Sequence, residues 1–151
     1  MKQKVQSYGA RNDKAMQTWM QLARSFNAIR QKEQSYVSEF GITFGQFAVL
    51  EVLYHRGDMP ISTITKLTDS TPGNMTVVVK NLKKEGYVCV VKDEQDKRVS
   101  NLSITPKGEG VIASLFSQHA NNIGSYFDIF SDDELDTLFD LLKRLKKHSR
   151  H

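Results

Sequence analysis

The sequence predicts a mainly α-helical fold carrying one small β-hairpin, and three observations predict it. Apolar residues recur at three- and four-residue spacing over most of the chain, the period of amphipathic helices. Start and stop signals bracket those stretches, with Thr71-Pro72, Thr105-Pro106 and Ser131 at starts and Gly41, Gly57 and Glu85-Gly86 at ends. Only between Tyr87 and Ile104 does the pattern become extended, in the run Tyr87-Val-Cys-Val-Val91 and in a second run holding Val99, Leu102 and Ile104. No internal repeat or low-complexity stretch divides the chain, so one domain over residues 1–151 is expected.

Each element follows from local chemistry. From about Arg11 to Ser38 there is neither Pro nor Gly, and Ala15, Trp19, Leu22, Phe26 and Ile29 form one apolar stripe. That stripe is too bulky for an isolated surface helix, so it is expected to pack on another helix of this chain or of a partner subunit. Phe44, Phe47, Val49, Leu50 and Leu53 predict a shorter second helix stopping near Gly57, and Ile61, Ile64 and Leu67 a third, broken at Asp69 and Ser70.

The fourth helix is capped by Thr71, begins with Pro72, whose missing N–H costs nothing at the first position, and ends at Glu85-Gly86. Met75, Val78, Val79 and Leu82 make its buried stripe, which leaves Gly73, Asn74, Thr76, Val77, Lys80 and Lys84 on the opposite face. The two extended runs form a hairpin whose tip, Lys92-Asp-Glu-Gln-Asp-Lys-Arg98, is entirely polar. Thr105 and Pro106 then start a helix through Val111, Ile112, Leu115, Phe116, Ile123 and Phe127. Ser131 caps the last helix, with Glu134 placed for a capping box, and Leu135, Leu138, Leu142 and Leu145 run along it at near-heptad spacing.

Composition excludes several classes of function. No apolar run nears the ~20 residues of a membrane-spanning helix, and charges throughout the first thirty positions interrupt any secretory signal, so no membrane partner and a cytoplasmic location are expected. Cys89 is the single cysteine, unable to form an intrachain disulfide or a Cys-rich zinc site; flanked by Val88 and Val90, it reads as a buried, inert residue. His119 alone among four histidines lies in the middle of a helix, and no convergent ligands accompany it, so no metal is expected. With no Ser-His-Asp order, HExxH, P-loop or glycine-rich nucleotide fingerprint, neither an enzyme nor a cofactor is expected.

The net charge of +4 permits a polyanionic partner without demanding one. Its distribution is more telling: residues 1–32 hold seven bases, Lys2 and Lys4 among them, against Asp13 alone, whereas residues 128–140 hold six acids and no base. Lys143, Arg144, Lys146, Lys147 and Arg150 suit the negative dipole end of the last helix.

Short helix, tight turn, capped helix and a hairpin with a basic tip is the order of a winged helix-turn-helix. In that arrangement Gly73 and Asn74 bring backbone donors and an amide to the duplex, Thr76 and Val77 can touch base edges or a thymine methyl, and Lys80 is placed for guanine or phosphate. Lys97 and Arg98 reach the backbone or the adjacent minor groove. Read blandly, the lysines are a solvated helix face and Asn74 supports the cap; the Pro-Gly-Asn start and the following wing favour DNA.

At these residues the chain resembles the MarR family of bacterial transcriptional regulators. Ile42-Thr-Phe-Gly-Gln-Phe-Ala-Val-Leu50 is similar to the opening of that family's second helix, and Ser70-Thr-Pro-Gly-Asn-Met-Thr-Val-Val-Val-Lys-Asn-Leu82 with Glu85-Gly-Tyr-Val88 to its recognition helix and exit. Asp96-Lys-Arg-Val-Ser-Asn-Leu-Ser-Ile-Thr105 with Gly108 is similar to its wing. The resemblance implies a winged-helix lobe over about 42–108 and a helical dimerisation region over about 11–38 and 109–148. It implies a homodimer that reads a pseudo-palindromic double-stranded operator, with DNA contacts from Ser70, Thr71, Pro72, Gly73, Asn74, Thr76, Val77, Lys80, Lys84, Asp96, Lys97 and Arg98. Asp96 would orient Arg98 or a nearby base, and Arg98 would enter the minor groove. Lys97 departs from the family's usual arginine, keeping charge but losing the forked donor.

The resemblance further implies a repressor released by a small aromatic or phenolic effector, for which Trp19, Met20, Phe26, Phe47 and Phe116 could line a cavity or simply form core. The alternative is a winged-helix protein-interaction module that does not bind DNA.

Overall fold

Helical periodicity broken by one extended stretch yields, in the computed structural model, six helices and one two-stranded sheet among the described residues, 6–150. They run α1 (Ala10–Ser38), α2 (Phe44–Arg56), α3 (Ile61–Leu67), α4 (Pro72–Lys84), β1 (Val88–Lys92), β2 (Ser100–Ile104), α5 (Pro106–Phe127) and α6 (Asp132–Ser149). Lys2 and Lys4, counted above among the seven bases of residues 1–32, lie outside the described residues. The chain divides into two compact units at Phe44–Gly45, and each is taken by itself.

The first unit is essentially α1. Asp13, in its first turn, accepts hydrogen bonds from Ser7 Oγ at 2.5 Å and from the Tyr8 backbone N–H at 2.9 Å, and these hold its carboxyl below the usual carboxylate range. Trp19 and Phe26 remain 68% and 60% exposed. The stripe expected to pack on another helix is therefore largely uncovered in the single chain.

The second unit buries Phe47, Leu50 and Leu53 of α2, Ile64 of α3, Met75, Val79 and Leu82 of α4, and Ile112 and Leu115 of α5 in one core with Val88 and Leu102 of the hairpin. The expected caps are present. Thr71 Oγ1 accepts from the Asn74 N–H at 3.3 Å, and Thr105 Oγ1 from the Gly108 N–H at 3.3 Å. Ser131 and Glu134 complete a reciprocal capping box. At the far end of α4 the Gly86 N–H donates to Lys83 O and the Tyr87 N–H to Leu82 O, a Schellman closure that Gly86 allows with φ 77. This closure takes the Tyr87 amide, so β1 starts at Val88, one residue later than the apolar run suggested.

β1 and β2 pair antiparallel, from Val88 opposite Ile104 to Lys92 opposite Ser100. Met59 adds a bridge on the outer side of Leu102, with backbone hydrogen bonds of 3.3 and 2.8 Å. The expected burial of Cys89 is corrected here: it is exposed. Successive strand residues point to opposite faces, and Val88 takes the core-facing position. α6 buries none of its residues completely, and Phe139, Leu141 and Leu145 stay exposed.

Candidate nucleic-acid interface

α4 is held at both ends by its neighbours. At the N-terminal end, Thr71 and Pro72 fix the helix start, and the turn before them is closed by the Ser70 N–H donating to Thr65 O at 3.1 Å. At the other end, three side chains converge on Glu85 and Gly86. Buried Gln46 of α2 donates Nε2 to Glu85 Oε2 at 3.3 Å, Lys107 Nζ of α5 donates to Glu85 O at 2.7 Å, and Thr105 Oγ1 donates to Gly86 O at 2.6 Å. Lys107 also lies 4.6 Å over the Tyr87 ring. A Cβ on Gly108 would meet Tyr87 O at 2.4 Å and Ile104 Cγ1 at 2.8 Å, so α5 approaches this corner only because position 108 is glycine.

Between these anchors α4 turns Met75, Val79 and Leu82 inward and Gly73, Asn74, Thr76, Val77, Lys80 and Lys84 to solvent. Val77 is 59% exposed, an apolar side chain with no partner in the core. The Asn74 side chain has no part in the cap, which uses its backbone N–H, so its amide is left to face outward. Thr76 Oγ1 donates back to Pro72 O at 2.9 Å, which leaves its methyl and an oxygen lone pair for a partner.

The wing tip is ordered by two carboxylates. Asp93 Oδ1 accepts from the Gln95 and Asp96 N–H groups at 2.9 Å each, and its Oδ2 from Asn101 Nδ2 at 3.1 Å. Asp96 in turn accepts from the Arg98 backbone N–H at 3.0 Å, from Nε at 3.1 Å and from Nη2 at 3.2 Å. Both carboxyls are held below their ordinary range, Asp93 chiefly by the Asp96 amide and Asp96 chiefly by the Arg98 side chain. The Arg98 side chain is 92% exposed, so the wing presents an oriented guanidinium to solvent. Lys97 is exposed beside it.

The proposed DNA contacts thus fall into two groups, Ser70 to Lys84 along the outer face of α4 and Asp96 to Arg98 on the wing. Sequence reasoning treated Asp93 only as charge on the tip and gave no role to Lys107. Gln46 was noted only within a motif, although its burial beside Glu85 makes it a brace for α4. Of the residues considered for an effector cavity, Phe47 is core, while Trp19, Met20 and Phe26 are exposed. Phe116 and His119 pack with Phe47 and His55, their ring centroids 4.4 to 5.7 Å apart. Among the described residues no group of three or more His, Cys, Asp or Glu could hold a metal ion, and no helix is long and apolar enough to cross a membrane.

A braced helix with an exposed outer face, followed by a wing that carries a fixed arginine, is the geometry of a winged helix-turn-helix. Residues 42–100 match the family model described as the MarR family. The HTH-type transcriptional regulator YkoM of Bacillus subtilis (strain 168) is 32% identical over 139 residues, 92% of this chain and 90% of its own. The HTH-type transcriptional regulator MhqR of the same organism is 29% identical over 133 residues, 88% and 92% of the two chains. Among solved structures, Bordetella bronchiseptica BpsR, described in a study of how 6-hydroxynicotinic acid regulates its DNA binding, shares the fold. Its TM-score is 0.75 at 22% identity, covering 86% of this chain and 98% of its own. The chain belongs to the MarR family of transcriptional regulators, whose DNA-binding winged helix it carries.

Proposed function

We propose that the chain is a homodimeric repressor that reads a pseudo-palindromic operator with α4 in the major groove and Arg98 in the adjacent minor groove. The observation that carries this reading is the Asp96–Arg98 fork, a guanidinium almost wholly exposed yet fixed by two hydrogen bonds, with a third from the Arg98 backbone N–H, together with an exposed helix face bearing Asn74, Thr76, Val77 and Lys80. An exposed ion pair contributes little to stability, so its value lies in what the arginine meets. Phosphate contacts from Ser70, Thr71, the Gly73 backbone, Lys84 and Lys97 supply most of the affinity, and base contacts from α4 supply specificity.

The homodimer is supported by apolar surface that the single chain leaves open at both ends: Trp19 and Phe26 on α1, and Phe139, Leu141 and Leu145 on α6. α1, α5 and α6 therefore form the dimerisation region, and residues 42–108 the reading head, of one functional domain. A small aromatic effector acting as inducer is supported by the report on BpsR and 6-hydroxynicotinic acid. It acts by favouring dimers whose recognition helices no longer match one DNA turn.

A mobility shift on the DNA upstream of its own coding sequence, repeated over a salt series, tests the proposal. Binding that weakens steeply with salt supports it. A folded dimer that retains no DNA at low salt is instead a protein-interaction module built on the same fold.

A further inference from the structure

We infer that Arg150, just beyond α6, is a DNA-backbone contact held in place by Asp69, an inference that rests on the DNA-binding reading above. Asp69 lies in the turn between α3 and α4, three residues before Pro72, with its backbone in the left-handed region at φ 49. Its Oδ1 accepts from Arg150 Nη2 at 2.5 Å, a bond across 81 positions that returns the far end of the chain to the foot of the recognition helix. Thr65, Lys66, Asp69, Ser70 and Arg150 line a cleft of about 410 Å³ there.

Two cations at one open cleft, Lys66 and Arg150, suit a phosphodiester, because guanidinium and ammonium donors make charge-assisted bonds to its oxygens; the Thr65 and Ser70 hydroxyls beside them donate to backbone carbonyls. The location suits it too: in helix-turn-helix docking the helix before the recognition helix crosses the DNA backbone, and Thr65 and Lys66 belong to that helix, α3. The pair is open to solvent, the Arg150 and Asp69 side chains being 58% and 63% exposed. Stability alone gives such a pair little reason to exist. It repeats at one end of α4 the arrangement found on the wing, where Asp96 aims Arg98 without burying it. One nitrogen of the fork engages Asp69, which leaves the remaining donors for phosphate. Removing Arg150 would also leave the Asp69 charge uncompensated beside the DNA.

The experiment uses the full chain and a labelled duplex of arbitrary sequence, about three helical turns long, followed by fluorescence anisotropy over a salt series for wild type, Arg150→Gln, Arg150→Lys and Arg98→Gln. Arg150→Gln lowers the slope of log Kd against log salt by about 0.9 per protomer and weakens binding on the order of ten-fold, with unchanged melting temperature and sedimentation. Arg150→Lys keeps the slope. If Arg98→Gln lowers the slope while Arg150→Gln leaves it at the wild-type value, the inference is overturned and the DNA reading stands. A wild-type chain without salt-dependent binding overturns both.

Discussion

Asp96 holds Arg98 at three points, accepting from its backbone N–H at 3.0 Å, its Nε at 3.1 Å and its Nη2 at 3.2 Å. The acid therefore sets both the turn of the wing and the direction of its arginine. Arg98→Ala is expected to weaken operator binding by about 1–3 kcal/mol with the dimer intact, because a contact is removed and no core is touched. Asp96→Ala should lose affinity while keeping the salt slope, since the cation remains and only its aim is lost. Titration calorimetry over a salt series measures both; wild-type affinity in Arg98→Ala would remove the wing from the interface.

The wing should also resist acid. Asp93 and Asp96 have carboxyl pKa values lowered by the amides and the arginine that donate to them. The order they confer is fully present above the unfolded aspartate value of about 3.9 and is lost as pH falls through their lower folded values. In NMR titrations the amide signals of Gln95, Asp96 and Arg98 should move with midpoints below about 3.9. Midpoints at or above that value would mean the hydrogen bonds do not persist in solution.

Asn74 should govern specificity rather than bulk affinity. Its side chain is exposed and takes no part in the Thr71 cap, so Asn74→Ala leaves the helix start intact. Selection of randomised operators should show relaxed preference at one position per half-site. A uniform loss across all sequences would reassign the residue to phosphate contact.

Gly108→Ala tests the corner that fixes the exit of α4. The added methyl would meet Tyr87 O at 2.4 Å, a backbone atom that cannot swing aside. A destabilisation of about 1–3 kcal/mol is expected from thermal or denaturant unfolding, the usual cost of forcing volume into packed structure. Full stability would show that α5 can retreat from the Gly86–Tyr87 turn.

The features legible in the sequence were those whose causes are local. The Thr71-Pro72 start of α4, its Glu85-Gly86 exit and the Ser131–Glu134 box depend on residues a few positions apart, and all three stand as expected. Pairs joined only by the fold were not legible: Gln46 with Glu85 across 39 positions, Arg150 with Asp69 across 81, and Met59 bridging Leu102. Cys89 was misjudged because its neighbours Val88 and Val90 read as a buried run, whereas of these three only Val88 reaches the core and both Cys89 and Val90 are exposed. On α4 the exposed positions were legible because Met75, Val79 and Leu82 define the opposite face.

A hydroxyl-radical footprint of the full chain on its own upstream DNA tests whether two copies of this helix and wing read one operator. The account predicts two protected segments related by a twofold, centred one helical turn apart, each combining major-groove protection with protection of the adjacent minor groove. A single unpaired segment, or none at low salt, would contradict it.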